Sequence, residues 1–263
     1  MNRFTLLGLL ALTGCSPSQE LAGTLHVAAA SNLSRIFPTL ARACHGSTGL
    51  TLVPSFGNTA QLAQQIENGG PFDLFLAADT SHIASLEIVH KMLLNSVHNY
   101  AQGRLVLYAP RRPDIRRLED LALPSVKKIG IAKPELAPYG KASIEALTSL
   151  HLWGALEPKT VYGQNISAVL QFVDSSNVDA AFTALALVNE SPGNKVLVDP
   201  SLHAPLNQAL GIPAGTQHAE QARRAAAWFL SAEAQGIFSK SGYGIASQDP
   251  DRMRPATDAT VKP

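Results

Sequence analysis

The sequence predicts an α/β protein built on parallel sheets, and two observations support this. Short apolar runs alternate along the chain with segments in which apolar residues recur at helical spacing. Strands that are apolar at nearly every position are typical of parallel sheets covered on both faces. The 263 residues, 46% of them hydrophobic, are sufficient for one large domain or two lobes.

The predicted elements follow the chain in order. The strands are expected at residues 24–30, 50–53, 73–77, 105–109, 128–132, 159–162, 178–183 and 195–198. Apolar residues at helical spacing predict helices over 33–44, 139–150, 166–173 and 219–238. Two further helices are expected, one with Leu62 and Ile66 on its apolar face and one after Thr80. Pro38 is expected to kink or perturb the first helix, because proline lacks the N–H that a helix interior needs. Gly69-Gly70-Pro71 is expected to end the second helix.

Residues 1–14 predict a secretory signal peptide. Arg3 precedes an apolar run that is too short for a membrane-spanning helix, which needs roughly 20 residues. Small residues follow and lead to Cys15, an order that resembles a bacterial lipobox. The resemblance implies cleavage before Cys15, lipid attachment to its sulfur and a tether over residues 15–23. An ordinary cysteine near a non-lipidated cleavage site is the alternative.

Cysteine content and charge narrow the possible classes of protein. Only Cys44 remains after Cys15, so lipidation of Cys15 leaves no partner for an internal disulfide. Removal of Arg3 with the signal peptide leaves 20 basic residues against 20 acidic ones. This balance argues against nucleic-acid binding as the main function.

Residues 248–263 lack apolar periodicity, and we expect them to be a disordered tail.

Four predicted strand-to-helix junctions share small or hydroxylic residues and contain no charged side chain. They are residues 28–32, 56–60, 137–140 and 163–167. A helix start exposes unpaired N–H groups with partial positive charge, so several starts aimed at one point form an anion site. Hydroxyls from Ser31 and Thr59 add donors. Such a site suits a fully ionised oxyanion, which accepts hydrogen bonds but donates none.

Each junction taken alone also has an ordinary structural explanation. Ser31 and Thr59 are typical N-caps, Asn58 and Asn165 are typical turn residues, and Tyr139 is a typical packed aromatic side chain. The anion-site hypothesis therefore requires the four junctions to converge.

The sequence resembles the periplasmic molybdate-binding proteins of ABC importers from about Leu25 to Tyr243. The segments that carry the resemblance are 27–33, 65–69, 73–79, 103–108, 136–140, 163–173 and 234–243. It implies the two-lobed type II periplasmic-binding-protein fold, in which each lobe is a mostly parallel sheet flanked by helices and the ligand lies in the cleft. The implied lobes are residues 24–103 with 206–247, and residues 104–205.

The resemblance also implies the ligand contacts. Carried over by position, they fall on Ser31, Asn32, Thr59, Tyr139 and Ile166. Ser31 and Thr59 would supply hydroxyl and backbone donors, and Tyr139 and Ile166 would supply backbone N–H groups from the second lobe. Molybdate would be bound through its oxygen atoms.

Two positions depart from the family pattern. Asn58-Thr59 stands where many relatives have consecutive serines, and Ala184 lies where some relatives provide a tyrosine hydroxyl. The methyl group of Thr59 could reshape the pocket, and Asn32 could replace the missing hydroxyl. Both departures concern selectivity more than fold. Lys133 and Lys141 flank one junction, either as anion-steering charges or as ordinary surface charges.

The function predicted from the sequence is capture of molybdate, and also of tungstate, by an exported lipid-anchored monomer in the periplasm. Its implied partner is an ABC permease in the inner membrane, and no catalysis and no cofactor are expected. An enzyme is the first alternative, but no metal-binding histidine spacing, Gly-x-Ser-x-Gly elbow or Walker loop occurs. A binding protein for sulfate or phosphate and a non-transport sensor or interaction lipoprotein remain as further alternatives.

Overall fold

The computed structural model describes residues 23–245 as two five-stranded sheets flanked by helices. The strands are β1 (Thr24–Ala30), β2 (Thr51–Gly57), β3 (Leu74–Leu76), β4 (His98–Gln102), β5 (Leu105–Ala109), β6 (Ile129–Ala132), β7 (Thr160–Gly163), β8 (Ala180–Ala184), β9 (Asn194–Leu197) and β10 (Asn207–Gly211). The helices are α1 (Phe37–Thr48), α2 (Thr59–Glu67), α3 (Ser81–Ile88), α4 (Pro138–Ser149), α5 (Trp153–Leu156), α6 (Ile166–Asp174), α7 (Leu185–Val188), α8 (Ala219–Phe229) and α9 (Ala232–Lys240).

Three sequence predictions fall outside this described part of the chain. They are the signal peptide, the lipidation of Cys15 and the disordered tail from residue 248. Among the helices of residues 23–245, none has the length and apolar character that crossing a membrane requires.

The two sheets have the same strand order. The first runs β2-β1-β3-β10-β4 and the second runs β7-β6-β8-β5-β9. In each sheet three neighbouring strands are parallel, the fourth is antiparallel to them, and the edge strand pairs antiparallel with the fourth. The fourth strand of each sheet follows a crossing of the chain from the other sheet. The predicted two-lobed α/β fold with mostly parallel sheets is confirmed.

The apolar runs form the cores of both sheets. Every residue of β5, β6 and β8 is buried, as expected for strands that helices cover on both faces. One apolar cluster surrounds the second sheet, and two clusters lie on the two faces of the first sheet. The clusters are thus divided mainly by sheet, although Ala30 and Ala78 belong to the cluster of the second sheet and Ala186 belongs to a cluster of the first.

The predicted kink at Pro38 is wrong. The segment after β1 first forms a separate 3-10 turn at Ser31–Leu33, and α1 begins only at Phe37. Pro38 therefore lies in the first turn of the helix, where its missing N–H would have no partner in any case.

Strand β2 is longer than predicted, since it continues through Pro54 to Gly57. Proline is tolerated there because β2 is an edge strand that pairs with β1 alone. The side chains of Val53 and Phe56, on either side of this region, are exposed.

The predicted helix over residues 219–238 is two helices. The break lies at Ser231, whose hydroxyl accepts a hydrogen bond from the Ala234 N–H at 3.3 Å and caps α9. Strands β4 and β10 were not predicted. Both contain polar residues without regular alternation, so neither resembles the buried apolar strands.

Asp73 joins the start of β3 to the segment that leads into α8. Its carboxylate accepts hydrogen bonds from the His26 N–H (2.8 Å), the Thr216 hydroxyl (2.6 Å) and Nδ1 of His218 (3.1 Å). Burial raises the pKa of Asp73, but the three hydrogen bonds outweigh burial and hold the pKa below its ordinary value. The carboxylate therefore stabilises the fold in its ionised form.

We expect Asp73→Asn to lower the free energy of unfolding at pH 7 by about 1.5–3 kcal/mol, because the amide brings an N–H group against existing donors. The folded pKa lies below the unfolded value of about 3.9. The stabilisation is therefore present above about pH 4 and disappears as the pH falls through the folded pKa. Urea unfolding at pH 7 and pH 3 measures both effects. The control is Asp174→Asn at an exposed aspartate, and an equal loss from Asp73→Asn at both pH values would contradict the prediction.

Candidate functional site

Four helix starts follow the carboxyl ends of four strands, two in each sheet. In the first sheet, β1 leads into the 3-10 turn at Ser31–Leu33 and β2 leads into α2. In the second sheet, β6 leads through a short loop into α4 and β7 leads into α6. The two strands of each pair are neighbours in their sheet. This is the edge of an α/β sheet at which ligands bind.

Hydrogen bonds join these junctions across the two sheets. They run from Ser167 Oγ to the Ser31 carbonyl (3.2 Å), from Asn58 Nδ2 to the Gln164 carbonyl (3.2 Å) and from the Ala60 N–H to the Leu136 carbonyl (3.4 Å). Each bond links a junction of the first sheet to a junction of the second. The four junctions that the sequence singled out therefore lie together around one cleft.

The starts of α2, α4 and α6 each retain a backbone N–H group that has no acceptor among residues 23–245. Asn58 caps α2 and Asn165 caps α6. In each case the side-chain Oδ1 accepts a hydrogen bond from the backbone N–H three residues later, at 2.8 Å for Asn58 and 2.9 Å for Asn165. Within residues 23–245, the N–H groups of Thr59, Tyr139 and Ile166 have no hydrogen-bond partner. These three residues are almost fully buried. Their N–H groups carry the partial positive charge of a helix start and favour an anion.

Pro138 contributes to this arrangement in α4. It occupies the first helical position, so no N–H is available there and the next one belongs to Tyr139. Gly140 follows, and a Cβ at that position would overlap the Ala132 carbonyl at the end of β6. The glycine therefore allows the start of α4 to pack directly on the end of its strand.

Two hydroxyl groups add donors to the cleft. Oγ1 of Thr59 accepts a hydrogen bond from the Ala78 N–H at 3.2 Å, so its own proton remains available to donate. In the described part of the chain, Oγ of Ser31 makes no hydrogen bond. The Ser167 hydroxyl is already used by the Ser31 carbonyl. The groups that are free to contact a ligand are thus hydrogen-bond donors on uncharged residues.

Asn32 differs from the other predicted contacts. Its Nδ2 donates to Oε1 of Gln208 and to the Tyr243 hydroxyl, both at 2.9 Å, whereas its Oδ1 is buried without a partner. Ala184 lies buried at the end of β8 and offers no polar side-chain group. In this conformation, both side-chain protons of Asn32 are used inside the protein, so its unpaired donor is the backbone N–H.

Sequence reasoning missed a buried polar cluster beneath the cleft. Gln208 lies at its centre and contacts Asn32, Tyr100 and Tyr139, while Tyr243 contacts Asn32. Burial raises the pKa of all three tyrosines, which therefore stay neutral at physiological pH. Gln208 lies in β10, a strand that the sequence pattern did not reveal, and a lone glutamine gave no other signal.

Charged side chains of both signs line part of the space between the two sheets. A cavity of about 260 Å³ between the two sheets is lined in part by Asp79, His82, Lys141 and Glu145. Nδ1 of His82 lies 2.7 Å from Oδ2 of Asp79, and this hydrogen bond raises the pKa of His82 although burial opposes it. Lys141 therefore has acidic neighbours and does not create a field of one sign. No cluster of metal-binding side chains occurs within residues 23–245.

Comparisons with known proteins agree with this architecture. The sequence model of the family described as bacterial extracellular solute-binding proteins matches residues 25–244. The molybdate-binding protein of Rhodobacter capsulatus is 32% identical over 228 residues, which cover 84% of this chain and 88% of the relative. The molybdate-binding protein of Azotobacter vinelandii is 30% identical over 230 residues, which cover 85% of this chain and 91% of the relative. A solved periplasmic molybdate-binding protein from Azotobacter vinelandii superposes with a TM-score of 0.80 at 28% identity and covers 85% of this chain and 100% of that one.

Asn58 and Asn165 offer a matched pair for testing the contact across the cleft. Both cap a helix, but Asn58 alone also donates to a carbonyl of the other lobe. We expect Asn58→Ala and Asn165→Ala each to lower the free energy of unfolding by about 1 kcal/mol. Only Asn58→Ala should accelerate hydrogen exchange at the Ala60 N–H, which bonds across the same cleft. Equal exchange rates in both variants would show that Asn58 acts as a cap alone.

Proposed function

Because the chain belongs to the bacterial extracellular solute-binding proteins, we propose that it captures molybdate outside the cytoplasm for an ABC importer. The two relatives named as molybdate-binding proteins support the choice of ligand. The observation that carries the proposal is the set of N–H groups at Thr59, Tyr139 and Ile166, which have no acceptor among the described residues and surround one cleft. A bound oxyanion supplies the acceptors that these groups lack.

In the proposed complex, five residues contact the oxygen atoms of molybdate. Ser31 and Thr59 donate through their hydroxyl and backbone N–H groups from the first lobe. Asn32 donates through its backbone N–H, and Tyr139 and Ile166 donate their N–H groups from the second lobe. The metal atom itself touches no protein group.

The donor set supports selection for a fully ionised anion. Molybdate and tungstate carry no proton near neutral pH and have nearly the same size, so we propose that the cleft binds both. Phosphate retains a proton near neutral pH and needs an acceptor. Sulfate matches molybdate in charge and shape and differs mainly in size, so the dimensions of the cleft would have to distinguish the two. Oδ1 of Asn32 is an unpaired acceptor beside these donors, which makes phosphate an informative competitor.

Transport by this protein would depend on closure of the two lobes. We assign residues 24–103 and 206–247 to one lobe and residues 104–205 to the other. Since the donors come from both lobes, an anion binds the closed form more strongly than the open form and shifts the population toward closure. The permease would then bind the surface of the closed form. Binding and release suffice for this function, and we propose no catalytic activity.

The same proposal includes a location. The relatives are extracytoplasmic binding proteins, and the apolar run followed by Cys15 supports export with a lipid anchor. A tether over residues 15–23 would leave the lobes free to close near the membrane surface. We propose a monomer, because closure and docking on a permease use opposite parts of one chain.

Calorimetric titration of the chain from about Glu20 onward, without its lipid, tests the ligand. We expect molybdate and tungstate to bind and sulfate and phosphate to give no comparable heat. Ser31→Ala should weaken molybdate binding by about tenfold or more, since hydrogen bonds to charged groups contribute about 1.5–3 kcal/mol. Preference for sulfate or phosphate would retain the fold and overturn the ligand. No heat with any of the four anions would favour a sensor or interaction lipoprotein.

A pair of substitutions at Thr59 separates the hydroxyl from the methyl group. Thr59→Val retains the shape of the side chain but removes the hydroxyl, and we expect it to weaken molybdate binding by at least about tenfold. Thr59→Ser retains the hydroxyl and should stay within about threefold of the original affinity. The same titration measures both, with thermal unfolding to verify that each variant is folded. Equal weakening in the two variants would mean that the hydroxyl is not a ligand contact.

A further inference from the structure

The side-chain amide of Gln208 connects the two lobes beneath the cleft. Its Oε1 accepts from Nδ2 of Asn32 at 2.9 Å and from the Tyr100 hydroxyl at 2.8 Å, both in the first lobe. Its Nε2 donates to the Tyr139 hydroxyl of the second lobe at 2.9 Å. Gln208 is fully buried, so no solvent competes for these bonds. One side chain thereby links a proposed contact residue of each lobe.

The backbone around this link lies where the chain passes between the sheets. Gly103 connects β4 to β5, and its N–H donates to the Leu206 carbonyl just before β10 at 2.8 Å. A Cβ on Gly103 would overlap the Tyr139 hydroxyl and approach Nε2 of Gln208 to 2.8 Å. The glycine thus leaves room for the Tyr139–Gln208 bond directly beside the two crossing segments. This is a second observation, independent of the hydrogen bonds, that places the link beside the segments that connect the two sheets.

We propose that Gln208 is a positioning residue for anion capture, because its amide couples Tyr139 of one lobe to Asn32 of the other and so stabilises the closed arrangement. This inference rests on the proposed function. Gln208 does not touch the anion. It acts by holding the start of α4, which carries the Tyr139 N–H, in register with the segment after β1.

The effect on affinity follows from the closed population. Rotation of the second lobe separates Tyr139 from Gln208, and a hydrogen bond is lost once the two atoms are more than about 3.5 Å apart. The bond therefore forms in the closed arrangement and favours it. When only a fraction of the protein is competent to bind, the apparent dissociation constant rises as that fraction falls. Loss of the link should weaken molybdate binding although every anion contact is retained.

A double-mutant cycle on Gln208→Met and Tyr139→Phe tests this coupling with molybdate as the probe. Both substitutions retain the backbone N–H of Tyr139. We expect each single variant to weaken binding by roughly 3- to 10-fold, and the double variant to be no weaker than the weaker single one. If Gln208→Met does not fold, Gln208→Asn takes its place in the same cycle.

Tyr100→Phe is the matched control. It removes a buried tyrosine hydroxyl from the same glutamine, but the lost bond lies within one lobe. We expect it to change molybdate affinity by less than about twofold, whereas a role in fold stability alone would give the same loss in Tyr100→Phe and Tyr139→Phe. Equal losses in these two variants, or additive losses across the cycle, would overturn the proposal.

Small-angle scattering of the ligand-free protein separates this proposal from the proposed function. Gln208→Met and Tyr139→Phe should give a larger radius of gyration than the unmodified chain and Tyr100→Phe. If the unmodified chain does not bind molybdate but this difference is present, the ligand is wrong and the link is supported. If molybdate does not bind and the radii are equal, both ideas are overturned. If molybdate binds and the cycle shows no coupling, the link alone is overturned.

Discussion

A buried helix start with an unpaired N–H group is the constraint on which this structure depends. Such a group is costly away from water unless it finds an acceptor. Three of them face one cleft here, at Thr59, Tyr139 and Ile166, and the caps Asn58 and Asn165 already satisfy an N–H group further along α2 and α6. An anion bound in the cleft would supply the acceptors that these N–H groups lack. A cationic side chain could also attract an anion, but it would lack the fixed direction of backbone donors.

The repeated strand order explains why the helix starts with unpaired N–H groups lie at the same place in both lobes. In each sheet the first two strands of the parallel set are neighbours, and each leads into a segment that faces the cleft. The reversed fourth strand comes from the crossing of the chain between sheets. As a result the crossing segments lie next to the cleft rather than far from it, and Gln208 at the start of β10 can reach Tyr139.

Much of the fold followed from the sequence because buried strands such as 24–30 and 105–109 have a largely apolar composition. Strands β4 and β10 could not be recognised, since their polar residues, such as Gln102 and Gln208, face partners distant in sequence. The five expected contact residues lie at the four junctions, but sequence alone could not bring the junctions together. Convergence depends on bonds such as Ser167 to Ser31, between residues 136 positions apart. Gln208 has no local signature, because its role comes from three partners supplied by other elements.

Pro54 has a consequence beyond its own strand. Strand β2 forms an outer edge of the first sheet and exposes Val53 and Phe56, a combination that would invite another extended chain to pair with it. Proline removes one donor from the middle of that edge, so a continuous ladder with a second molecule cannot form there. Such an interruption discourages edge-to-edge aggregation of the protein.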